Sequence, residues 1–397
     1  MMKKIRDLKN KIASRNLFLV AMCFFRRIIS SLLKPENEVL IIRLDLIGDC
    51  TMFSGSTRAI ISKYPESKIS ILCLKSTKEV FERIGGITKV YTYDSSPGDL
   101  NFASINNLSK SIGWKKFKIL CQPQASRMKT ADLISRYICA EKKIAIEIKS
   151  DNCGDKWSKK SSEFYDQIIP LPTGIVSEFY YYASFLSGIG ISNNKKIEPY
   201  LFYSVQNEFK AKYFVVVPGA SYFQKAWEPY KFAKVIDYLF HEKGWVPVIL
   251  GTKREQLLGE QILASCSLPT SLTIQNLCGK TSVSEMIDII GNAELVICND
   301  SAAAHISSAV HTPCVAISGA GPLDRFLPYP ASFTFSPKVI YKKLGCEYCG
   351  FALDNIKKNE ECYTTSILKE KTFPCITVID TKTVINTIDV LLKKNEH

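Results

Sequence analysis

The sequence predicts an α/β protein made of two doubly wound domains, each built on a parallel sheet. The chain has 397 residues, which suits two domains of ~100–200 residues each. Apolar side chains make up 46% of the composition, enough for two cores and too many for a disordered chain. Short apolar runs alternate with helical stretches in both halves, as in repeated strand–helix–strand units.

In the first half, the apolar runs are continuous, which is typical of strands buried on both faces. Helices are predicted between them, over 51–63, 77–83 and 101–112. Residues 150–210 are rich in Ser, Lys and Asn and show a weaker pattern, so less regular structure is expected there. The predicted strands are Val39–Arg43, Lys68–Leu74, Lys89–Tyr93 and Phe117–Cys121.

In the second half, the alternation restarts, with helices predicted over 230–242, 254–266, 283–290 and 299–310. The predicted strands are Tyr213–Val217, Trp245–Leu250, Glu294–Cys298 and Pro313–Ile317. The predicted divisions are an N-terminal arm over 1–37 and domains over 38–207 and 208–397.

Ligands of open parallel sheets bind beyond the carboxyl ends of the strands. The loops over 44–50, 218–229, 251–255, 299–302 and 318–325 are therefore the candidate site loops. Two such domains facing each other would leave a cleft between them.

The positive charge is concentrated at the amino end of the chain. The net charge is +14, and residues 1–34 hold nine basic side chains and one acidic side chain. Because the rest of the chain is only mildly basic, a nucleic-acid partner is not expected.

The arm also holds an apolar run, Leu17–Phe25, followed at once by Arg26 and Arg27. Arginines in this position make a membrane-spanning helix unfavourable. They also differ from the small residues that a signal-peptide cleavage site needs. A basic helix lying on an anionic membrane surface fits better. A core-packing or dimer-forming helix and a cleaved signal peptide are the alternatives.

Three strand-end motifs carry candidate chemistry. The first, Arg43-Leu-Asp-Leu-Ile-Gly-Asp49, places two carboxylates after the first strand. Gly48 allows a strained turn, so Asp49 falls at or near the next helix's N-terminus, as either a cap or a catalytic base. Asp45 is a second carboxylate in the same loop, and spacing alone does not choose between them.

The second motif is Pro218-Gly-Ala-Ser221, followed by Lys225 and Trp227. Gly219 lets the backbone approach a ligand closely, Ser221 supplies a hydroxyl, and Lys225 supplies a positive charge where phosphate oxygens are commonly held. The alternative for Lys225 is a solvated surface lysine.

The third motif is Asn299-Asp-Ser-Ala-Ala-Ala-His305. The first backbone amides of its helix, from Ser301 to Ala303, suit a diphosphate. Asp300 is negatively charged like phosphate, so it suits sugar hydroxyls instead. An ordinary capped helix is the alternative. His305 is expected to be a hydrogen-bonded packing residue rather than a base.

Other chemistries find little support. Neither a Gly-x-Gly-x-x-Gly nor a Walker motif is present, and the four histidines are scattered. Cys73, Cys298 and Cys314 lie in runs typical of buried strands, which suits a reducing compartment. Zinc, free thiols or a disulfide are open interpretations for one further set of cysteines, namely Cys346, Cys349, Cys362 and Cys375.

Together these motifs resemble glycosyltransferase family 9, the ADP-heptose:lipopolysaccharide heptosyltransferase group. The resemblance runs in motif order over residues 38–330. It includes Ile41–Asp49, Pro218–Ser221 with Lys225-Ala-Trp227, and Leu277–Thr281 through Asn299–Ser301 and His305 to Gly319.

The resemblance implies a GT-B fold, two Rossmann-like domains with the acceptor on the first and the nucleotide-sugar on the second. It implies an inverting, metal-independent transfer, with Asp49 as base. Lys225 and Ser221 would hold the diphosphate, Asp300 the donor sugar, the Ser301, Ala302 and Ala303 amides the phosphates, and Glu255 the ribose. Gly219 belongs to the same donor loop, and Arg43, Asp45 and Gly48 are candidates on the acceptor side.

Two residues depart from the family pattern. Ala302 stands where the family usually has Gly, which bears on donor identity. His311 replaces a common glycine, and histidine tolerates positive φ better than most residues.

The implied function is transfer of a sugar, heptose from ADP-heptose first, to a lipopolysaccharide core or another lipid-linked glycan at the inner face of the cytoplasmic membrane. No cofactor or metal would be required. A different nucleotide-sugar donor, or a non-catalytic nucleotide- or carbohydrate-binding protein of the same fold, is the alternative.

Overall fold

The computed structural model describes residues 25, 27–96, 98–99, 101–149, 154–174, 177–192, 197–205, 209, 211–321, 323–344 and 372–395. The chain forms two compact units. The first contains residues 1–50, 56–175 and 180–195, and the second contains residues 51–55, 176–179 and 196–397. The domain limits 38–207 and 208–397 stay a prediction.

The first sheet has six parallel strands in the order β3-β2-β1-β4-β5-β6. The strands are β1 (Glu36–Arg43), β2 (Lys68–Leu74), β3 (Lys89–Tyr93), β4 (Phe117–Gln122), β5 (Ala140–Ile146) and β6 (Gln167–Ile169). The helices over this part of the chain are α1 (27–32), α2 (Ile47–Met52), α3 (Ser54–Lys63), α4 (Lys78–Glu82), α5 (Phe102–Ile112), α6 (Lys129–Tyr137), α7 (Asp155–Ser162) and α8 (Glu178–Gly188).

The second sheet is also six-stranded and parallel, in the order β12-β11-β10-β7-β8-β9. The strands are β7 (Tyr213–Val217), β8 (Val246–Ile249), β9 (Gln275–Asn276), β10 (Leu295–Asn299), β11 (Cys314–Ile317) and β12 (Lys338–Ile340). The helices are α9 (Pro229–Lys243), α10 (Gln256–Ser265), α11 (Leu268–Ser271), α12 (Val283–Gly291), α13 (Ala302–Ala309), α14 (Pro374–Thr377) and α15 (Thr381–Asn395).

Each unit has its own apolar core along the central strands. In the first unit, residues 39–42 of β1 are fully buried, because helices cover both faces of a doubly wound sheet. In the second unit, Phe214 and Trp227 pack in one cluster with Val384 and Ile388 of α15. The predicted class, two parallel-sheet α/β domains, is confirmed.

The prediction of less regular structure over 150–210 is wrong for much of that stretch. It contains α7, β6 and α8. Helix α8 has the sequence EFYYYASFLSG, which is apolar on nearly every side, so it shows no one-sided helical period.

Most of the arm, residues 1–24 and 26, lies outside the described residues, and so does the apolar run Leu17–Phe25 apart from its last residue. Within the described part of the chain, no helix combines the length and apolarity needed to cross a membrane.

Candidate functional site

In each sheet the strand order reverses direction once, between the first and fourth strands of the unit. This switch point lies between β1 and β4 in the first sheet and between β7 and β10 in the second. The loops leaving the two strands diverge there, which opens a crevice for ligands. The predicted motifs at Arg43–Asp49, Pro218–Lys225 and Asn299–His305 all follow strands that border a switch point.

The first switch point contains a buried ion pair. Arg43, the last residue of β1, is 1% exposed, and its Nη2 atom lies 2.5 Å from Asp45 Oδ2. The same nitrogen lies 3.4 Å from Tyr182 Oη and from the Asp49 carbonyl oxygen. Burial opposes the charged guanidinium, but Asp45 and Tyr182 outweigh it and raise the pKa of Arg43.

Asp45 is also held from the other side of the switch point. Its Oδ1 atom accepts a hydrogen bond from Gln124 Nε2, in the loop after β4. Arg127 Nη1 donates to the Gln124 carbonyl at 2.9 Å and is itself anchored by Asp132, with both charged groups buried. The Asp45 carboxylate is therefore a fixed part of the loop scaffold.

Asp49 lies in the first turn of α2 and is half-buried. A carboxylate at a helix N-terminus is stabilised by the helix dipole, so this position suits an anion. The placement beside the N-terminus of the next helix is confirmed. The strained turn expected at Gly48 is wrong: α2 begins at Ile47, so Gly48 lies inside its first turn and is not among the positive-φ residues.

In the second unit, Asn299 ties the two strand-end loops together. Its Nδ2 atom donates to the Pro218 carbonyl at 2.6 Å, and its Oδ1 atom accepts from the Trp227 amide at 3.1 Å. Because Asn299 is fully buried at the end of β10, it fixes the loop that carries Gly219, Ser221 and Lys225.

Lys225 and Asp300 meet across this second switch point. Lys225 Nζ lies 3.0 Å from Asp300 Oδ2 and 3.5 Å from Ser221 Oγ, and both charged side chains are only 10% exposed. The structure thus brings together three of the predicted donor-site residues. A diphosphate reaching Lys225 would share the ammonium group with Asp300.

The N-terminus of α13 lies directly after this pair. Ser301 is the N-cap residue, and its hydroxyl makes no capping hydrogen bond to the helix. The backbone at Ala302 and Ala303 therefore starts an uncapped eight-residue helix, whose dipole favours an anion at this end.

Glu255 and Gly219 also come together. Glu255 Oε2 accepts a hydrogen bond from the Thr252 amide at 2.5 Å, in a capping box. Its Oε1 atom lies so close to Gly219 that any Cβ at position 219 would collide with it. Glycine at this position makes room for the carboxylate beside the loop that follows β7.

The two histidines of this region are packing residues. His305 is 5% exposed, and its Nδ1 atom lies 2.8 Å from Tyr329 Oη. Burial, the largest effect, lowers the pKa of His305 to about 4, which confirms a hydrogen-bonded packing residue. His311 has φ 64° and stacks on Phe335, which confirms its tolerance of a left-handed backbone at the helix end.

Several residues that shape these sites were not predicted from the sequence. Gln124, Tyr182 and Tyr329 reach the sites from distant segments, so spacing carried no signal for them. Asn299 did have a signal, because it is a polar residue closing an apolar strand directly before Asp300.

The cysteine predictions have mixed outcomes. Cys73, Cys298 and Cys314 are buried free thiols in strands, as predicted. Cys375 is buried in α14, whereas Cys346, Cys349 and Cys362 lie outside the described residues, so their ligand set stays open. Where side chains are described, no group of three or more His, Cys, Asp or Glu could hold a metal ion.

Comparisons with known proteins bear on the same regions. The glycosyltransferase family 9 (heptosyltransferase) model matches residues 189–347. Lipooligosaccharide heptosyltransferase 2 of Haemophilus influenzae is 35% identical over 105 residues, which cover 26% of this chain and only 30% of that protein. Lipopolysaccharide heptosyltransferase 3 of Escherichia coli is 25% identical over 287 residues, covering 69% of this chain and 81% of that protein.

A solved structure shows the same fold. The structure of E. coli ADP-heptose lps heptosyltransferase II covers 91% of this chain and 100% of its own, with a TM-score of 0.67 at 17% identity. The chain therefore has the GT-B fold, and it spans only about a third of the length of the first curated relatives it matches. Over residues 189–347 it is similar to glycosyltransferase family 9, in agreement with the resemblance drawn from its motifs.

Proposed function

We propose that the chain is an inverting, metal-independent glycosyltransferase. It moves a sugar, with heptose from ADP-heptose as the first candidate, onto a lipopolysaccharide core or another lipid-linked glycan. The observation that carries the proposal is the Lys225–Asp300 pair, 3.0 Å apart, directly before the uncapped N-terminus of α13. A cation and free helix amides suit a diphosphate, and a carboxylate beside them suits sugar hydroxyls.

In this mechanism, Asp49 accepts the proton of the acceptor hydroxyl. The hydroxyl oxygen forms a bond to the anomeric carbon as the bond from that carbon to the diphosphate oxygen breaks on the opposite face. Asp49 is preferred to Asp45, because Asp45 is committed to Arg43 and Gln124. A carboxylate with an ordinary pKa near ~4 suffices as base when the proton moves late, as the alcohol oxygen gains positive character.

The negative charge that develops on the leaving diphosphate must be stabilised by positive or hydrogen-bond-donating groups. Lys225, Ser221 and the amides of Ala302 and Ala303 are the groups proposed to supply it, with no metal required. Glu255, held beside Gly219, is proposed to contact the ribose hydroxyls. Arg43 and Gly48 lie in the loop proposed to face the acceptor.

The proposed setting is the inner face of the cytoplasmic membrane, where a lipid-linked acceptor would be met. The nine basic residues of the first 34 suit an anionic lipid surface. The relatives named above carry lipopolysaccharide or lipooligosaccharide in their names, which supports this class of acceptor. No nucleic-acid partner is proposed.

The first experiment measures binding of ADP, UDP, GDP and CMP by calorimetry, in the presence of a chelator. Lys225→Ala should weaken binding of the preferred nucleotide by about tenfold to a hundredfold, because a charge-assisted contact to phosphate is lost. Lys243→Ala, an exposed lysine in the last turn of α9, is the matched control.

The outcomes separate the alternatives. Tight ADP binding that Lys225→Ala weakens supports an ADP-linked donor. Preference for another nucleotide keeps the fold and the mechanism but changes the donor. If the preferred nucleotide binds and no sugar is transferred from any donor, the chain is a non-catalytic binding protein. Loss of binding in chelator alone would contradict metal independence.

A further inference from the structure

Helix α1 packs on the first unit with its apolar side facing away from the protein. Ser30 is 4% exposed and faces the domain, whereas Phe25, Ile28 and Leu32 are 54, 45 and 81% exposed. These three positions have the i, i+3, i+7 spacing of one helix face. An ordinary surface helix buries its apolar stripe and exposes its serines, so this arrangement is inverted.

The inverted orientation is fixed by contacts to the domain. Cys139 Sγ lies 3.1 Å from the Arg27 carbonyl oxygen, and Lys116 Nζ lies 3.4 Å from that of Ser31. Arg27 and Ser30 also line a cavity shared with Leu108 of α5 and Ile138 after α6. The apolar stripe is therefore presented by a helix whose other side is already occupied.

The stripe continues onto the domain through Trp114, in the loop between α5 and β4. The Trp114 ring is 49% exposed and meets the Phe25 ring edge-on, with centroids 6.3 Å apart. Leu33, which is 39% exposed, extends the surface at the other end. We call Phe25, Ile28, Leu32, Leu33 and Trp114 the α1 patch.

Basic residues surround the α1 patch. Lys34 follows it in the chain, Lys110 lies one turn before Trp114, and Lys116 reaches the end of α1. The neighbouring acidic residues Glu36 and Glu38 share Lys115, so they offset only one of these positive charges. An exposed apolar stripe with an aromatic ring and a cationic rim matches the interface of an anionic bilayer.

We propose that the α1 patch is a membrane-docking surface of the folded first unit, with an anionic lipid bilayer as its partner. Trp114 and Leu32 enter the headgroup region, and the lysines remain at the phosphate level. The inference extends the proposed membrane contact of residues 1–34 to a residue of the folded domain. It does not depend on glycosyl transfer.

The test uses the full chain with vesicles of phosphatidylglycerol and phosphatidylcholine, some carrying brominated acyl chains. Of the four tryptophans, Trp114 is the most exposed; Trp227 is 1% exposed, and Trp157 and Trp245 are half-buried. Bromolipid should quench the part of the emission that Trp114→Phe removes. Leu32→Ser and Trp114→Ala should each weaken vesicle partition by about tenfold, and pure phosphatidylcholine should bind weakly.

Leu268→Ser is the matched control, because Leu268 is 73% exposed on α11 in the second unit and should not affect partition. If the chain binds anionic vesicles but Trp114 is not quenched and both variants bind normally, the arm alone is the anchor and the α1 patch proposal fails. If the variants abolish self-association in light scattering and leave partition unchanged, the patch is an interface between copies of the chain, which also overturns the proposal.

Discussion

At the scale of single residues, the first switch point contains a buried ion pair. The guanidinium of Arg43 is balanced there by the carboxylate of Asp45. Removing one member of a buried pair leaves the other charge uncompensated. The same loop carries Asp49, which is half-buried and whose charge raises the pKa of Arg43 less than that of Asp45 does. The two carboxylates should therefore respond differently to the same substitution.

We expect Asp45→Asn to lower the free energy of unfolding by about 2–4 kcal/mol, because Arg43 stays buried without a full counter-charge. Asp49→Asn should change stability by less than about 1 kcal/mol but lower turnover at least about a hundredfold, because the proposed general base is lost. Urea unfolding and a transfer assay at fixed donor measure the two effects. Turnover that survives Asp49→Asn but not Asp45→Asn would reverse the assignment.

His305 gives a pH dependence of stability. Its pKa is about 4 in the folded protein, against 6.5 for an ordinary histidine. The unfolded chain therefore binds more protons between these values, so stability is full above pH 6.5 and falls as the pH drops toward 4.

We expect His305→Gln to remove up to about 3 kcal/mol of the stability difference between pH 7 and pH 4.5. Thermal or urea unfolding of both proteins at the two pH values measures it. Parallel losses in the wild type and the variant would show that His305 does not carry the effect.

At the scale of elements, the loop from β7 to α9 is fixed from two sides. Asn299 holds it from the end of β10. From the C-terminal segment, the Phe373 amide donates to the Gln224 carbonyl at 2.8 Å, and Thr372 Oγ1 donates to the Ala226 carbonyl at 3.2 Å. A preorganised loop of this kind can hold Lys225 in place before a ligand arrives.

The contact between this loop and the turn after β8 gives a test. Gly219→Ala should push the Glu255 carboxylate away and weaken nucleotide affinity about as much as Glu255→Ala does. The double variant should lose no more than either single variant, because both act through one contact. Calorimetry of the three variants measures this, and additive losses would show that Glu255 and Gly219 act independently.

The strands were predicted better than the helices around them. β2, β3 and β7 match their predicted limits, because each is rich in apolar or aromatic residues and is followed by a charged residue or proline. Helix α8 was missed although its buried residues Tyr181, Tyr182, Phe185 and Leu186 share one face, because the apolar ring of the exposed Tyr180 on the other face hides that period in the sequence. β5 was not predicted, because its first half, Ala140–Lys143, has the charged composition of a surface segment.

At the scale of the whole molecule, both units use the same strand order, and the second is completed by the end of the chain. Trp227 Nε1 donates to the Ile379 carbonyl at 2.9 Å, and Lys231 Nζ donates to the Thr377 carbonyl at 2.6 Å. Val384, Ile388 and Leu392 of α15 belong to the core cluster of this unit.

A chain ending at residue 371 should lose about 5 kcal/mol or more of stability. The truncation removes these three aliphatic side chains and the carbonyl groups that accept hydrogen bonds from Trp227 and Lys231. We expect it to lose nucleotide binding and the native near-ultraviolet circular dichroism of Trp227. A chain lacking only Glu396 and His397 is the control. Normal binding by the shortened chain would show that α14 and α15 are dispensable for the second unit.

The loops of the candidate site were predictable from the sequence, but the side chains that contact its residues were not. Rules on strand ends located Asp49, Lys225 and Asp300, because such ends lie at one edge of a parallel sheet. The pairing of Asp45 with Gln124 and of His305 with Tyr329 joins segments far apart in sequence. These contacts depend on packing, which no local pattern encodes.

The 3.0 Å pair between Lys225 and Asp300 has a consequence for turnover. In the proposed reaction, Asp300 would compete with the donor diphosphate for the ammonium group, which would weaken binding of the substrate in its ground state. As the proposed bond between sugar and diphosphate breaks, the growing negative charge would draw Lys225 toward the leaving group. A lysine shared in this way stabilises the transition state more than the bound substrate, and only such a difference accelerates a chemical step. The same competition would help the spent nucleotide to leave.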